Sequence, residues 1–235
     1  MPHAIPPALV RGRTEFLVDN LRGFLEFGES RIDLALEEQR KEIESLDQAL
    51  LDTYGDDLWT DADVEILQER WGCDDPDWPD VPFSPFHDVF PRYLRYSFIT
   101  LAALVFESEL LVLCGYIAAD RSVNPPESGG KASMAKNARA FLLSQLGQGA
   151  IENPNWDRLQ DMLKVRNCIA HAGGRIDLSS DRDYLAVVAN RNIGVGLDDR
   201  ERPGVRLLRI ERKYCGAIVE DIASFFALVC DAAGY

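Results

Sequence analysis

Between Thr14 and about Tyr54 the apolar residues Leu25, Ile32, Leu36, Ile43, Leu46 and Leu50 recur at threes, fours and sevens. Glu37, Glu38, Arg40, Lys41, Glu42 and Glu44 fill the positions between them. That spacing predicts a long amphipathic helix with Thr14 as its cap and Gly55 at its end. Three or so heptads call for a partner helix, within the chain or across a dimer. A short helix is expected over Asp61 to Trp71, with Asp61 or Asp63 at its positive end. Cys73 to Pro91 then holds Pro76, Pro79, Pro82, Pro85 and Pro91, a density that forbids a regular helix. Its Trp78, Phe83 and Phe86 suggest an ordered loop strapped over the core.

Arg92 to Arg121 reads as the most apolar helix, with Phe98, Ala102, Val105, Val112 and Tyr116 along one face. After a Pro- and Gly-rich loop over Ser122 to Gly130, helices are expected over Lys131 to Leu146 and Asn155 to Ala172. Asn153 or Asn155 caps the latter, and Gly173-Gly174 closes it. The period then changes. Ile193 to Leu197 and Val205 to Ile210 are short β-type runs, joined by a turn over Asp198 to Gly204. Tyr184 to Val188 is expected as a third strand. A final helix starts at Ile210 or Glu211 and runs through Ala232, burying Ile218, Ile222, Phe225, Phe226 and Val229. The expected fold is mainly α: a helical bundle with a long N-terminal helix and a small β-hairpin before the last helix. Residues 1–90 would form the long helix and the acidic Pro-rich loop, packed on a bundle of residues 91–235.

Composition adds where the charge lies. The chain has 235 residues, 46% hydrophobic and 27% charged, an ordinary globular balance that excludes a disordered tail, a collagen-like repeat or a disulfide miniprotein. Its net charge of −14 repels a phosphate backbone on average. Yet Asp52 to Asp88 holds twelve acids and one base, Arg70, so the rest of the chain nets only −3. Arg200 to Lys213 contains six bases against Glu201 and Glu211, which leaves room for a basic cleft. The acidic segment is either a solvated surface or a decoy lying over such a cleft.

Five widely spaced cysteines without a CxxC pair read as reduced, buried thiols. Met1 to Pro7 lacks the charged and apolar regions of a signal peptide. Glu107 and Glu109 lie near the centre of the apolar run Phe98 to Ala119. Each would cost about 2.5–3.5 kcal/mol in a bilayer, so a bundle helix is expected there rather than a span. The expectation is a soluble, cytoplasmic protein with no membrane partner.

One segment carries chemistry: Arg166-Asn167-Cys168-Ile169-Ala170-His171, followed by Ala172-Gly173-Gly174. In a regular helix Asn167 and His171 are four apart and share a face, so the amide can hold the imidazole in one tautomer. Arg166 lies five positions before His171, about 140° round the cylinder. His171 falls in the last turn, where the carbonyl ends favour an imidazolium. A titratable His beside a permanent guanidinium suits phosphodiester cleavage, the one moving protons and the other stabilising phosphoryl charge. The bland alternatives are a His capping the helix end and an Arg paired with Asp161 or Glu152. Arg-Asn with His four beyond the Asn is expected by chance in about one chain in a hundred of this length.

The segment resembles the Arg-x(4–6)-His motif of the HEPN superfamily, in the form with Asn after Arg and Ala before His. The resemblance extends over the surrounding helices, roughly Pro91 to Tyr235. It implies a helical bundle acting as a metal-independent endoribonuclease of toxin or phage-defence type. It also implies a homodimer in which two motifs face each other across one composite cleft. Carried over, His171 would be the general acid or base as a 2′-hydroxyl attacks the adjacent phosphate. Arg166 would bind that phosphate, and Asn167 would orient His171 or the phosphate. Products would be a 2′,3′-cyclic phosphate and a 5′-hydroxyl, and DNA would resist. An acidic partner from an earlier helix is common in the superfamily, with Glu107 and Glu109 as candidates. The partners implied are RNA, a second copy of the chain, and a protein that neutralises or activates it. The superfamily also includes catalytically silent scaffolds, so a module binding a protein through the long N-terminal helix is the alternative.

Other chemistries fit less well. His3, His87 and His171 are far apart and match no metal-ligand spacing, so neither a metal nor another cofactor is expected. There is no P-loop and no GxSxG, and Gly194-x-Gly196 lacks the third glycine of a dinucleotide fingerprint. Cys168, beside Asn167, reads as a core thiol rather than a nucleophile.

Overall fold

The computed structural model describes residues 6–54, 89–126, 134–148, 154–191, 193–198 and 205–235. The fold is mainly helical, with α1 (Pro7–Tyr54), α2 (Val89–Asp120), α3 (Met134–Leu146) and α4 (Pro154–Ala172). A 3-10 turn at Ile176–Leu178 follows, then α5 (Arg182–Asn190), β1 (Val195–Asp198), β2 (Leu207–Ile210) and α6 (Arg212–Ala233). The expected helix over Asp61 to Trp71, the Pro-rich loop up to Asp88 and the tip of the hairpin lie outside the described residues; the end of that expected loop, Val89 to Pro91, is instead helical and opens α2, with Pro91 in the first turn where its missing N–H costs no helical hydrogen bond. The chain divides into two compact units, one of Met1–Leu25 with Arg95–Tyr235, the other of Glu26–Leu94.

The first unit is built round α2, which is apolar on most of its circumference. Phe98, Ala102, Phe106, Leu110, Leu113 and Ile117 are essentially inaccessible to solvent. This stripe differs from the expected one: Phe98 and Ala102 belong to it, but Val105, Val112 and Tyr116 are only half-buried. The expected line runs straight along the helix but lies at the edge of the buried face, whose centre is rotated from it by about 70°. From α6, Phe225 and Phe226 close on Phe106 with ring centroids 5.6 Å away, and Trp156 of α4 sits 5.5 Å from Phe225. The residues expected to be buried along α6, Ile218, Ile222, Phe225, Phe226 and Val229, all are.

Two further expectations are corrected. α1 starts at Pro7, not Thr14; proline suits a first turn, and Val10, Val18 and Leu21 are buried in the first unit. Thr14 is therefore an interior residue, its hydroxyl donating to the Arg11 carbonyl at 2.8 Å. Tyr184 to Val188 is not a strand but lies within α5. Leu185 and Val188, three apart, are buried while Tyr184 and Val187 are exposed, which is a helical period masked by β-branched composition.

The second unit holds the remainder of α1 and the first turns of α2. Within it Gly28 presses on Leu94, where a Cβ would come 2.8 Å from the Leu94 side chain. Glu37 pairs with Arg40 and Lys41 one turn on, while Ile32 is buried and Leu36 half-buried. The side chains of Ile43, Leu46 and Leu50 lie outside the described residues.

Among the described residues one helix, α2, is long and apolar enough to cross a membrane, and half of its most apolar window is buried within the protein.

Candidate functional site

The motif occupies the last two turns of α4. Val165 and Cys168 face the core, which leaves Arg166 and Asn167 half-buried and His171 exposed near the helix end. The helix stops because Gly173 and Gly174 adopt φ of +61° and +83°, the left-handed conformation that glycine takes without cost. Their N–H groups donate to the carbonyls of Ile169 and Cys168 at 3.0 and 3.2 Å. At Gly174 there is a second constraint: a Cβ would lie 2.6 Å from ring atoms of Tyr96. The Tyr96 hydroxyl in turn donates to the Leu208 carbonyl at 2.5 Å, tying α2 to the hairpin beneath the motif.

The structure separates the two acidic candidates. Glu107 Oε2 accepts a hydrogen bond from Arg166 Nη2 at 2.6 Å, with both side chains largely sheltered. Glu109 is 1% exposed and both its oxygens face Arg13 Nε from α1, at 2.9 and 3.1 Å. Glu107 therefore meets the motif and Glu109 does not. Arg166 Nε is buried with no partner among the described residues. Nor does Arg166 pair with Asp161, whose carboxylate instead accepts from Tyr184 at 2.5 Å and from Arg191 at 2.8 Å. Glu152 lies outside the described residues. Burial, with the Asp161 carboxylate beside it, pushes the Tyr184 phenol up to about 12.

Asn167 and His171 share a face of α4, but among the described residues neither side chain makes a hydrogen bond. The tautomer lock expected from their spacing is not formed in this arrangement. Cys168 is 1% exposed, and burial holds its thiol above the ordinary range, as it does more strongly for Cys114, pushed up to about 12. A thiol held protonated in this way is a poor nucleophile. Cys114, Cys215 and Cys230 are likewise buried and unbridged, and Cys73 lies outside the described residues. Among the described residues no group of three or more His, Cys, Asp or Glu is placed to hold a metal; His3 and His87 are outside them.

What the sequence did not reveal is the support downstream of His171. The chain leaving Gly174 runs along β2. Leu208 N–H donates to the Gly174 carbonyl and Ile176 N–H to the Arg206 carbonyl, both at 2.9 Å, and Arg175 bridges Leu207. β2 itself pairs antiparallel with β1, Val195 opposite Ile210 and Asp198 opposite Leu207. The hairpin is thus stitched to the end of the motif helix, and it brings Arg175 and Arg206 beside that end. The sequence signal was slight: an Arg directly after the two glycines, and the basic run Arg200 to Lys213.

Compared with known proteins, the chain matches no family model, no curated protein and no solved structure.

Proposed function

We propose that the protein is a metal-independent endoribonuclease of the HEPN type, working in a toxin or phage-defence setting. The observation that carries this reading is the placement of the motif. Arg166 is held from one side by Glu107, while His171 stands exposed at the end of the same helix. A guanidinium fixed by a carboxylate through one Nη keeps N–H groups of its other terminal nitrogen for a phosphate. An exposed imidazole is free to exchange protons with substrate and solvent. In this reading His171 moves the proton as the ribose 2′-hydroxyl attacks the adjacent phosphorus. Arg166 stabilises the charge on the non-bridging oxygens, and the 5′-oxygen leaves. Arg166 and His171 project about 140° apart on α4, so the complete site draws Arg from one copy of the chain and His from another.

The test is cleavage of an end-labelled structured RNA in EDTA by the wild type, His171→Ala and Arg166→Ala. The wild type alone should cut, leaving 2′,3′-cyclic phosphate ends, and each variant should lose at least about 100-fold. Equal cutting by all three would reject the site.

A scaffold is the second reading, and one observation favours it. Leu9 and Phe16 on α1 are 64% and 66% exposed, large apolar side chains that a protein partner could cover. Folded wild-type protein that binds no RNA and cuts none would favour it.

A further inference from the structure

The outward side of α2 carries no charge. Between Arg95 and Asp120 the helix has two charged residues, Glu107 and Glu109, turned sideways to Arg166 of α4 and Arg13 of α1. The positions that face out are Ser97, Leu101, Leu104, Ser108, Leu111 and Gly115. All are exposed or half-buried, and Leu104 is 64% exposed. They follow one another at steps of four, three, four, three and four, the seam of a helix that packs on another helix. At Gly115 the seam is open, since a Cβ there would meet nothing within 4 Å. A mid-helix glycine is less stable than alanine, and what it permits is the close approach of a second backbone.

α4 lies beside α2, joined to it through Arg166 and Glu107, which neutralise each other. Its own outward positions, Gln160, Leu163, Asn167 and Ala170, are also uncharged and half-buried or exposed. Together the two helices present a neutral face about 27 Å long and about 20 Å across. That is on the order of 550 Å² in projection, and the relief of the side chains raises it towards the roughly 800 Å² that a stable dimer buries per partner.

The seam is complementary to itself. Laid antiparallel about Phe106, Leu104 of one copy meets Ser108 of the other, Leu101 meets Leu111, and Ser97 meets Gly115. Each Leu104 thus finds a small residue opposite, and the pairing obeys two-fold symmetry. Charge selects the same occupant. Two copies of a chain of net −14 repel least where each is neutral, and a charged partner would bury ions there without counter-ions.

We propose that this face of α2 and α4 is the interface of a homodimer, in which α2 packs antiparallel on α2 of the second copy. A two-fold contact pairs like sides, so both motif helices come to one side of the crossing. In this way the interface supplies the second copy that a shared site needs. That consequence rests on the endoribonuclease reading, whereas the interface stands on α2 and α4 alone.

The experiment reads mass, not cleavage, so the interface can fail while the ribonuclease reading stands. Full-length wild type, Leu104→Glu, Leu104→Ala and Leu9→Glu are compared by sedimentation equilibrium over a range of concentrations, with thermal melts confirming that each is folded. Leu9 on α1 is the control, as exposed as Leu104 but outside the proposed face. The wild type should sediment at twice the chain mass of 26.3 kDa. Leu104→Glu buries a carboxylate from each copy and should raise the dissociation constant at least about 100-fold. Leu104→Ala should raise it about tenfold, and Leu9→Glu less than about twofold. Mixed Leu104→Cys and Ser108→Cys chains should form a disulfide between copies on oxidation, which reads the antiparallel register. A monomeric wild type would overturn the proposal. So would a Leu104→Glu protein that dimerises like the wild type, or a Leu9→Glu protein that falls apart in its place. Wild type that pellets with phosphatidylcholine vesicles and does not dimerise would assign the face to a bilayer and overturn it too.

Discussion

Glu107 and Glu109 are two residues apart on α2 and chemically almost identical, yet the fold gives them different work. Two positions on a helix are about 200° of rotation, so their side chains leave on opposite sides. Glu109 is shut into the interior and tied to Arg13 of α1, which joins two helices of the bundle. Glu107 lies at the edge of the core and holds Arg166, the first residue of the motif. The first pair fastens the bundle. The second holds the Arg of the motif at the edge of the core. Which acid does which is decided by the neighbouring helix, not by the acid.

Breaking the first pair should have the largest effect on stability. Arg13→Ala leaves the Glu109 carboxylate buried without its cation, a loss of about 3–5 kcal/mol. Urea melts would show it, and cleavage per folded molecule should stay near that of the wild type. The second pair should respond in the opposite way. Glu107→Gln keeps the shape and a hydrogen-bonding oxygen but removes the charge from a sheltered pair, at about 1.5–3 kcal/mol. Cleavage should nevertheless fall about 10- to 100-fold, because a guanidinium no longer held in place misaligns with the phosphate. If Glu107→Gln destabilises as much as Arg13→Ala and cuts normally when folded, the contrast between the two carboxylates fails.

The same contrast shows what could be read from the sequence. Helices α2, α3, α4 and α6 and the hairpin follow from apolar spacing and glycine stops, because each buries one clear stripe or ends at an unambiguous turn. α5 did not, since Val187 and Val188 read as β-branched strand residues while Leu185 and Val188 pack with a helical step. The start of α1 was placed seven residues late because Thr14 looks like a cap, although burial of Val10 extends the helix back to Pro7. The motif was visible as a spacing. Its acidic partner was not, because choosing between two acids on one helix requires knowing which helix faces each. The pinning of Leu208 beside Gly174 depends on pairing across about thirty residues of chain, which no local pattern encodes.

The central claim is that Arg166 and His171, projecting in different directions from one helix, serve a site shared between two copies of the chain. The most direct test co-expresses His171→Ala and Arg166→Ala chains under different affinity tags and purifies the mixed dimer. Each variant alone should be inactive towards RNA in EDTA, and the mixed dimer should recover a substantial part of wild-type cleavage. A mixed dimer as inactive as its parents would contradict the shared site.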